Sequence, residues 1–374
     1  MKKEEPERTS WGSIFSQTLS KGCQQCIAGE KMVVLVSSKC SSNCYYCPLS
    51  SERKSAKTAF ANERPFKETA DLLTEADNMT AKGASMTGGD PLELHSFNAT
   101  LKYCKLLKKK FTNDFHIHVY TRGKDLTTEL LEQITPYLDE IRFHVMNLEK
   151  DLLTIGMAVK FNIDVGIEIP VIPTNDFNYY IDLINKFEKL VANSTQFHFI
   201  NLNELEISET NYRNLLKHNL EPDSINLSAI KGSADLAAKI VEWASVNSKL
   251  PVHFCSLSTK DNVQLPNRLF RIAKNTMLPS DVLIEEGSDK GLLIRGIISG
   301  EGKNLDEIKN FLINDLEIPP HLVSVDNVKN RILTNAAILE ELKIEIVSQF
   351  PKVKLGIAEE YPSYDKLQTT FIPL

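Results

Sequence analysis

Long apolar runs are missing from this sequence of 374 residues. No stretch stays apolar for the roughly 20 residues that a membrane-spanning helix needs. The first fifteen residues, MKKEEPERTSWGSIF, contain no apolar core of the kind found in an export signal. We therefore expect a cytoplasmic protein that does not cross a membrane.

An excess of basic residues is missing as well. The 43 lysines and arginines are outnumbered by 49 aspartates and glutamates, which leaves a formal net charge of −6. Nucleic acid is therefore not favoured as a partner, because proteins that bind it usually carry a basic surface. Hydrophobic residues make up 42% of the chain, which is typical of a globular protein with a buried core.

The cysteines do not form the pattern of a disulfide framework. Their number, seven, is odd, several of them are closely spaced, and no export signal precedes them. This combination predicts metal binding in a reducing compartment rather than disulfide bonds.

What the chain does contain, from Lys31 onward, is an alternation of short apolar or β-branched segments with helical patterns. The seven predicted strands are 32–37, 84–89, 115–121, 139–145, 165–173, 196–206 and 250–256. Strands joined through helices pair in parallel, because the right-handed crossover is the sterically easy connection. The α/β pattern predicts a partial or complete TIM-like (β/α) barrel, with a doubly wound sheet as the alternative.

Three domains are expected from the changes in pattern. Residues 1–30 form a lead-in that carries a C-x-x-C motif, and residues 31–277 form the barrel. Residues 278–374 change to a strand–helix–strand–helix–strand order, which predicts a small α/β domain.

The segment KCSSNCYYCP places Cys40, Cys44 and Cys47 directly after the first predicted strand. In a barrel this position lies at the C-terminal face, where active sites are built. A tetrahedral zinc site needs four ligands, and no further cysteine or histidine follows within forty residues. Three thiolates on a four-iron cluster leave one iron open to a substrate or cofactor. The triplet therefore predicts an iron–sulfur cluster with an open position.

A second motif, TGGDP at residues 87–91, ends the second predicted strand. Gly88 and Gly89 suit a close approach of the backbone to a ligand, which a side chain would block. The motif alone is equally compatible with an ordinary turn. Its position one strand away from the cysteine triplet favours ligand binding.

With these two motifs the chain resembles the radical SAM superfamily. Further segments, among them FHIHVYT, VGIEIPVIP and NLNELEISETN, resemble an archaeal group within it that is related to pyruvate formate-lyase activating enzyme. The resemblance covers most of residues 20–275.

The resemblance implies a mechanism. Cys40, Cys44 and Cys47 would hold a [4Fe–4S] cluster whose open iron chelates S-adenosylmethionine (SAM). A low-potential donor, a ferredoxin or flavodoxin, would reduce the cluster, and SAM would be cleaved to a 5′-deoxyadenosyl radical. The radical would abstract hydrogen from a substrate that the resemblance does not identify, with a polypeptide as one suggested class.

The resemblance also implies which residues contact the cofactor. The turn 88–91 would offer backbone carbonyls to the methionine ammonium, and the aromatic residue before the last cysteine would pack on the adenine. Arg142, Lys231 and Lys260 are all available for the methionine carboxylate. The expected cofactor contacts are Tyr46, Gly88, Gly89, Asp90, Pro91, Tyr120, Thr121 and Glu168.

Polar residues on other strands are candidates for catalysis. Asn203 and Glu204 end the sixth strand, where they could bind substrate or transfer protons. His116 and His118 share one face of the third strand by alternation, and His118 is the catalytic candidate of the two. The alternative for each histidine is a hydrogen-bonded core residue.

A second metal site is predicted from four further residues, Cys23, Cys26, His253 and Cys255. The C-x-x-C pair lies in the lead-in, and the H-x-C pair lies on the seventh strand, which is near the first strand in a barrel. Together they could complete a tetrahedral zinc site or hold an auxiliary iron–sulfur cluster. The alternatives are a redox-active or free C-x-x-C pair and a buried Cys255 that packs as a small apolar residue.

Two other functions were weighed against a radical SAM enzyme. One is a non-catalytic iron–sulfur or zinc protein whose barrel binds a partner, and TGGDP argues against it because a structural site has no use for such a turn. The other is a SAM methyltransferase without radical chemistry. That class would need a glycine-rich loop after the first strand, where this chain has cysteines instead.

Overall fold

The computed structural model describes residues 5–300 and 305–374. This described part divides into two compact units, one comprising residues up to 77 and 81–265 and the other comprising 78–80 and 266–374. The division falls twelve residues before the boundary that we expected, because the helix Leu265–Thr276 belongs to the second unit, where Asn267 accepts a hydrogen bond from Lys290. Residues 1–4 and 301–304 of the expected outer domains lie outside the described part.

One sheet organises the first unit. Its strands, among the described residues, are β1 (Glu7–Arg8), β2 (Ile14–Phe15), β3 (Lys31–Ser37), β4 (Ala59–Ala61), β5 (Arg64–Phe66), β6 (Gly83–Gly88), β7 (His116–Thr121), β8 (Glu140–Phe143), β9 (Asp164–Val171), β10 (His198–Glu204) and β11 (Val252–Cys255). Their order across the sheet is β1-β2-β11-β10-β9-β8-β7-β6-β3-β4-β5.

All seven predicted strands are present, as β3 and β6 to β11, and each pairs in parallel with its neighbour. The sheet does not close into a ring, because β2 pairs antiparallel with β11 at one side and β4 pairs antiparallel with β3 at the other. The partial form of the TIM-like barrel is therefore the one that the chain adopts.

Helices connect these strands. They are α1 (Lys21–Ile27), α2 (Ser51–Ser55), α3 (Thr69–Asn78), α4 (Leu94–Phe111), α5 (Thr128–Ile134), α6 (Leu148–Ala158), α7 (Phe177–Val191), α8 (Tyr212–Lys217), α9 (Ser233–Asn247), α10 (Leu257–Thr259) and α11 (Leu265–Thr276). Several are preceded by a residue whose side chain caps a free N–H group of the first turn. Thr127 does so for α5 and Asp176 for α7. Within the described ranges, no helix is both long and apolar enough to span a bilayer.

The two faces of the barrel sheet differ in polarity. One set of alternating side chains, such as Ile117, Val119 and Ile141, is fully buried and apolar. The other set is also buried but polar; it includes Lys31, Ser85, His116, His118, Glu140, Arg142, Asn201 and His253. Alternation along each strand separates the two sets, so a buried polar layer lines the inside of the barrel.

The lead-in does not form a domain of its own. Its β2 extends the barrel sheet, and α1 lies against the polar inner face. A Cβ atom on Gly22 would come within 2.6 Å of His118 Nδ1 and 2.5 Å of Arg142 Nη2. This close fit shows that α1 fills the part of the interior next to these two side chains.

The second unit is a separate α/β structure. Its strands are β12 (Val282–Leu283), β13 (Leu293–Gly300), β14 (Ser324–Asp326), β15 (Arg331–Thr334), β16 (Val353–Glu360) and β17 (Gln368–Pro373), and the other helices of this part are α12 (Leu305–Asn310), α13 (Ala336–Glu341) and α14 (Lys343–Gln349). The sheet has the order β14-β15-β13-β16-β17 and is antiparallel. Its apolar core includes Ile298, Leu312, Ile332, Leu339 and Phe350.

Candidate functional site

The cysteine triplet lies on the loop that follows β3, at the C-terminal end of the barrel strands. The Cys40 thiol is exposed, and those of Cys44 and Cys47 are half-buried. Burial raises the pKa of the Cys44 thiol, and the neighbouring charges of Cys40 and Cys47 raise it further. Bound iron would stabilise the ionised forms of these thiols.

The geometry of this triplet fits a cluster better than a single ion. The three sulfurs do not all lie within 4.8 Å of one another, which is too wide for the donor set of one zinc ion. The backbone N–H of Ser42 donates to Cys40 Sγ at 3.3 Å, and such hydrogen bonds to sulfur are usual around iron–sulfur clusters.

Glu93 holds the cysteine loop in place from the neighbouring turn. Its carboxylate accepts from the Ser41 backbone N–H at 3.0 Å and from the Ser41 hydroxyl at 2.5 Å. The side chain of Glu93 is 2% exposed. A buried carboxylate with charge-assisted hydrogen bonds is a strong anchor, so Glu93 positions the loop between Cys40 and Cys44.

The two glycines of TGGDP pack on the same loop. Gly88 has φ +129, and a Cβ on it would lie 2.3 Å from the Ser37 carbonyl oxygen. A Cβ on Gly89 would lie 1.8 Å from the Lys39 carbonyl oxygen, closer than any tolerated contact. We expected the glycines to allow a close approach to a ligand; in the structure their small size is already required by the backbone of the cysteine loop.

Asp90 is part of the scaffold of this turn. It is 3% exposed, and its carboxylate accepts from the Thr121 hydroxyl at 2.9 Å and from the Arg122 N–H at 2.8 Å. Burial raises the pKa of this carboxyl group. Asp90 and Thr121 therefore join the ends of β6 and β7. The next residue, Pro91, contributes its carbonyl to a hydrogen bond from Thr100.

Tyr46 connects the cysteine loop to β8. Its hydroxyl lies 2.8 Å from His144 Nε2, directly after the end of that strand. The ring packs beside Tyr45 against an apolar cluster that includes Ile172 and Leu205. The aromatic residue before the last cysteine is thus held by contacts at both its edge and its hydroxyl.

Glu168 is the centre of a buried polar network on the inner face. Its carboxylate accepts from Asn201 at 3.1 Å and from Asn203 at 2.9 Å. Burial acts to raise its pKa, but the Arg142 guanidinium and these amide hydrogen bonds hold the pKa below its usual value. Tyr120 lies at the edge of this network, with its hydroxyl 3.4 Å from Arg142 Nη1.

Arg142 is not available for a cofactor carboxylate. It is 2% exposed, its Nε donates to Glu140, and its Nη1 donates to Glu168 at 2.6 Å. Its remaining nitrogen reaches Ser20 Oγ at 3.1 Å. Two carboxylates therefore saturate this guanidinium.

A second arginine, which the sequence did not single out, lies closer to the cysteine loop. Arg122 Nη1 is 3.4 Å from Ser42 Oγ, and Nη2 is 3.6 Å from Asp151. Its buried Nε has no hydrogen-bond partner among the described residues. The sequence signal that could have identified Arg122 as a site residue is its position directly after Thr121, at the end of β7.

The three residues predicted to be catalytic lie apart from one another. Asn203 lies on the inner face beside Glu168, whereas Glu204 accepts from the Leu257 backbone N–H at 2.7 Å. Burial raises the pKa of Glu204. His118 is completely buried near the opposite end of the strands, where it lies next to Glu140 and to Gly22 of α1. These three residues therefore do not form one catalytic group.

The four residues of the predicted second metal site all lie around the barrel interior. Cys23 Sγ contacts Asn201 Nδ2 at 3.3 Å, and His253 Nδ1 lies 2.6 Å from the Oδ1 atom of the same asparagine. Burial raises the pKa of Cys26 to about 12 and that of Cys255 to about 11. No three of these four residues bring ligand atoms within 4.8 Å of one another, so they do not form a preassembled tetrahedral site.

Comparisons with known proteins place these features in a family. Residues 34–155 match the radical SAM superfamily, and residues 291–374 match a domain of unknown function. A protein of Methanocaldococcus jannaschii, provisionally named a glycyl-radical enzyme activating enzyme, is 34% identical over an alignment of 371 residues, which covers 95% of this chain and 93% of that protein.

Solved structures of the radical SAM methyltransferase TsrM from Kitasatospora setae are more distant. One, with tryptophan and a SAM analogue bound, has a TM-score of 0.36 at 12% identity and covers 54% of this chain and 42% of that chain. Another, with cobalamin and a [4Fe–4S] cluster bound, has a TM-score of 0.35 at 12% identity and covers 63% and 52%.

The similarity to the archaeal protein extends over nearly the whole chain, and the superfamily match includes both the cysteine loop and the TGGDP turn. The cofactors of such proteins are a [4Fe–4S] cluster and SAM. The chain therefore belongs to the radical SAM superfamily, within the group related to the activating enzymes of glycyl-radical enzymes.

Proposed function

We propose that this enzyme activates a polypeptide by abstracting a hydrogen atom from it at the open end of the barrel. Cys40, Cys44 and Cys47 would hold the [4Fe–4S] cluster, with one iron left for SAM. When bound, the cluster and SAM supply reductive cleavage of the sulfonium and abstraction of hydrogen from a substrate C–H bond.

The protein's own residues would bind and orient the cofactor. The carbonyls of residues 88–91 would accept from the methionine ammonium, and the ring of Tyr46 would pack on the adenine. Arg122 is the proposed partner of the methionine carboxylate, because its unpaired Nε and its contact with Ser42 place a guanidinium beside the cysteine loop. Glu168 and Asn203 would line the space beneath the cofactor.

One observation carries the choice of a polypeptide. Helix α1 occupies the inner end of the barrel, where a side chain at position 22 would clash with His118 and Arg142 and where Cys23 contacts Asn201. A substrate would therefore enter from the C-terminal mouth and reach only the upper part of the interior. A peptide segment presented from the surface of another protein suits such an entrance.

The rim of this mouth supports the proposal. The loops that follow β8 and β10 expose large apolar side chains, including Ile225 at 95% exposure, Leu227 at 73% and Met146 at 43%. Large apolar side chains exposed on loops can mark a protein-binding surface. The relative from M. jannaschii is named for action on a protein, which agrees with this surface.

A low-potential electron donor, a ferredoxin or flavodoxin, would reduce the cluster. Cys40 is exposed, and the adjoining cavity of about 340 Å³ is lined by Lys39, Lys57 and Lys67 among other residues. A basic surface next to the cluster would favour a donor with an acidic surface and speed its association.

The first experiment measures 5′-deoxyadenosine release by anaerobically reconstituted, dithionite-reduced protein. We expect release by the wild type and by Cys104→Ala, whose buried thiol lies on α4, and none by Cys47→Ala. Equal release by both variants would contradict the assignment of the triplet. Failure of the fully clustered wild type to bind SAM would contradict the radical SAM chemistry.

A second experiment tests the substrate class. Protein and small-molecule fractions of an extract from the source cells are added separately, and 5′-deoxyadenosine release is measured together with the electron paramagnetic resonance spectrum. We expect the protein fraction to stimulate release and to acquire a carbon-centred radical. Stimulation by the small-molecule fraction alone would overturn the polypeptide proposal and leave the radical chemistry intact.

A further inference from the structure

The inner end of the barrel contains a group of three side chains that the proposed function does not use. His116 and His118 lie on β7, and Glu140 is the first residue of β8. Their ligand atoms lie within 4.8 Å of one another, which in the described ranges is true of no other group of three such side chains. They are 7%, 0% and 0% exposed, respectively.

The distances within this group do not match direct hydrogen bonds. His116 Nε2 lies 3.6 Å from Glu140 Oε2, and His118 Nδ1 lies 3.8 Å from Glu140 Oε1. A hydrogen bond between such atoms would be about 2.7–3.2 Å long. Two ligands of a tetrahedral ion with bonds of about 2.0–2.1 Å lie about 3.4 Å apart. Both distances from Glu140 to the imidazoles are within a few tenths of an ångström of this ligand spacing.

Three of the four ring nitrogens of these histidines also lack partners among the described residues. His116 Nε2 and both ring nitrogens of His118 are buried and make no hydrogen bond to any described residue. A buried polar atom without a partner is costly, because it has lost its hydrogen bonds to water and gained none in return. His118 is fully enclosed, so an unpaired imidazole in this position calls for a bound group.

We propose that His116, His118 and Glu140 bind one divalent transition-metal ion. Two imidazoles and one carboxylate are a donor set that suits zinc and ferrous iron. The site lies at the N-terminal ends of β7 and β8, opposite the cysteine loop, where side chains of a barrel serve stability rather than catalysis. The ion is therefore a structural one.

Helix α1 closes the site. The backbone N–H of Gly22 donates to Glu140 Oε2 at 3.3 Å, and a Cβ on this residue would lie 3.0 Å from Glu140 Oε1. Only glycine lets the helix approach the ligands so closely. By fixing Glu140 and both histidines, the ion holds α1 in the barrel.

Two cationic side chains lie next to the proposed ligands. Arg142 Nε donates to Glu140, as groups around a ligating carboxylate commonly do. Lys31 Nζ lies 2.6 Å from His116 Nδ1.

The test measures metal content in protein that cannot hold the iron–sulfur cluster. The parent is the full chain with Cys40→Ala, Cys44→Ala and Cys47→Ala, purified from cells grown with added zinc and iron, because a sealed site loads during folding. We expect about one ion per chain by elemental analysis, and its identity distinguishes zinc from iron. Absence of a stoichiometric ion from this folded parent would overturn the proposal.

Variants then locate the ion. His118→Gln in this parent should lower the metal content at least ten-fold, whereas His198→Gln, another buried strand histidine, should leave it unchanged. Circular dichroism reports whether each variant is folded. A folded His118→Gln protein that keeps its ion would contradict the assignment.

Two further measurements separate this site from the nearby thiols. Cobalt-loaded parent should show no thiolate-to-cobalt charge-transfer absorption, since the proposed donors are nitrogen and oxygen. Cys23→Ser with Cys26→Ser should keep the ion. A charge-transfer band, or loss of the ion in the folded serine variant, would assign the metal to the cysteines and overturn the proposal.

Discussion

The Tyr46 hydroxyl oxygen and His144 Nε2 lie 2.8 Å apart, which connects the loop of the three cysteines to the end of β8. Burial lowers the pKa of His144, and the ring also makes a hydrogen bond to the backbone of Glu168. The ring is therefore neutral, and its Nε2 accepts the hydrogen bond from Tyr46. Through this contact the position of the aromatic ring next to Cys47 depends on a strand nearly a hundred residues later in the chain.

Substitution at Tyr46 should separate the role of the ring from that of the hydroxyl. We expect Tyr46→Phe to lower the free energy of unfolding by about 1 kcal/mol, because His144 loses its donor, and to change SAM affinity only a few-fold. Tyr46→Ala should weaken SAM binding about ten-fold or more, since stacking on a base contributes about 1–3 kcal/mol. Calorimetric titration of the clustered protein measures the SAM affinity of each variant, and denaturant unfolding measures the free energy of unfolding. Tyr45→Phe is the control in both experiments. Equal affinities for the Ala and Phe variants would contradict adenine packing on this ring.

Glu93 should control how well the cluster is retained. Glu93→Gln keeps the size of the side chain but replaces one acceptor oxygen with a donor facing Ser41, whose N–H and hydroxyl both need an acceptor. We expect the loop to lose about 1–3 kcal/mol of anchoring and the iron content after reconstitution to fall. Glu129→Gln, at an exposed position on α5, is the matched control. Full iron content in the Glu93 variant would show that the loop does not depend on this anchor.

Gly89 should tolerate no side chain. In Gly89→Ala the new Cβ would lie 1.8 Å from the Lys39 carbonyl oxygen, so the turn and the cysteine loop must move apart. We expect this variant to bind neither a full cluster nor SAM, as measured by iron analysis and titration. Gly156→Ala on α6 meets only Leu190 Cδ1 at 3.3 Å and should retain both, because alanine also favours a helix. Wild-type SAM affinity in Gly89→Ala would argue against the close packing of the two loops.

Arg122 should contribute affinity for SAM through its charge. We expect Arg122→Gln to weaken SAM binding about ten-fold or more, because a hydrogen bond to a charged group contributes about 1.5–3 kcal/mol. Arg122→Lys should recover part of the loss, since it keeps the charge without the planar fork. Arg213→Gln removes an exposed arginine of α8 and serves as the control. An unchanged SAM affinity in Arg122→Gln would show that another cation binds the methionine carboxylate.

The second unit should be sensitive to acid through Glu360. This fully buried carboxylate accepts from Arg295 at 2.8 Å and from Arg331 at 2.6 Å. Burial acts to raise its pKa, but the two guanidinium groups hold it below the usual value near 4.5. The folded state therefore releases this proton more readily than the unfolded state, so the stabilisation is present above pH 4.5 and is lost as the pH falls below that value.

Glu360→Gln should remove the part of this pH dependence that Glu360 contributes and destabilise the second unit by about 1.5–3 kcal/mol, because Arg295 and Arg331 each lose one of two carboxylate partners and keep only Asp281 and Asp326, respectively. Hydrogen exchange of peptides from residues 305–374 of the full chain, measured at several pH values, reports on this unit. Glu340→Gln, an exposed change on α13, should behave as wild type. A profile that stays as steep in the Glu360 variant would assign the acid sensitivity elsewhere.

Local patterns were sufficient for much of the barrel. Alternation and apolar runs predicted β3 and β6 to β11, because a strand buried on both faces carries its signal within a few residues. Pro65 lies in β5, and α3 begins only at Thr69. As the last strand of the sheet, β5 tolerates a residue that has no N–H to donate.

The spacing of Cys40, Cys44 and Cys47 and the TGGDP turn were enough for the sequence alone to determine the family, since both motifs are local and follow directly on strands. Only the tertiary structure decided which side chains meet across strands. Register placed Arg142 between Glu140 and Glu168, whereas Arg122 lies beside the cysteine loop, where it contacts Ser42. The inward course of α1 brought Gly22 onto His118 and Glu140. These contacts join residues up to 120 positions apart in the chain, and the pairing of strands, rather than any local preference, sets their distances.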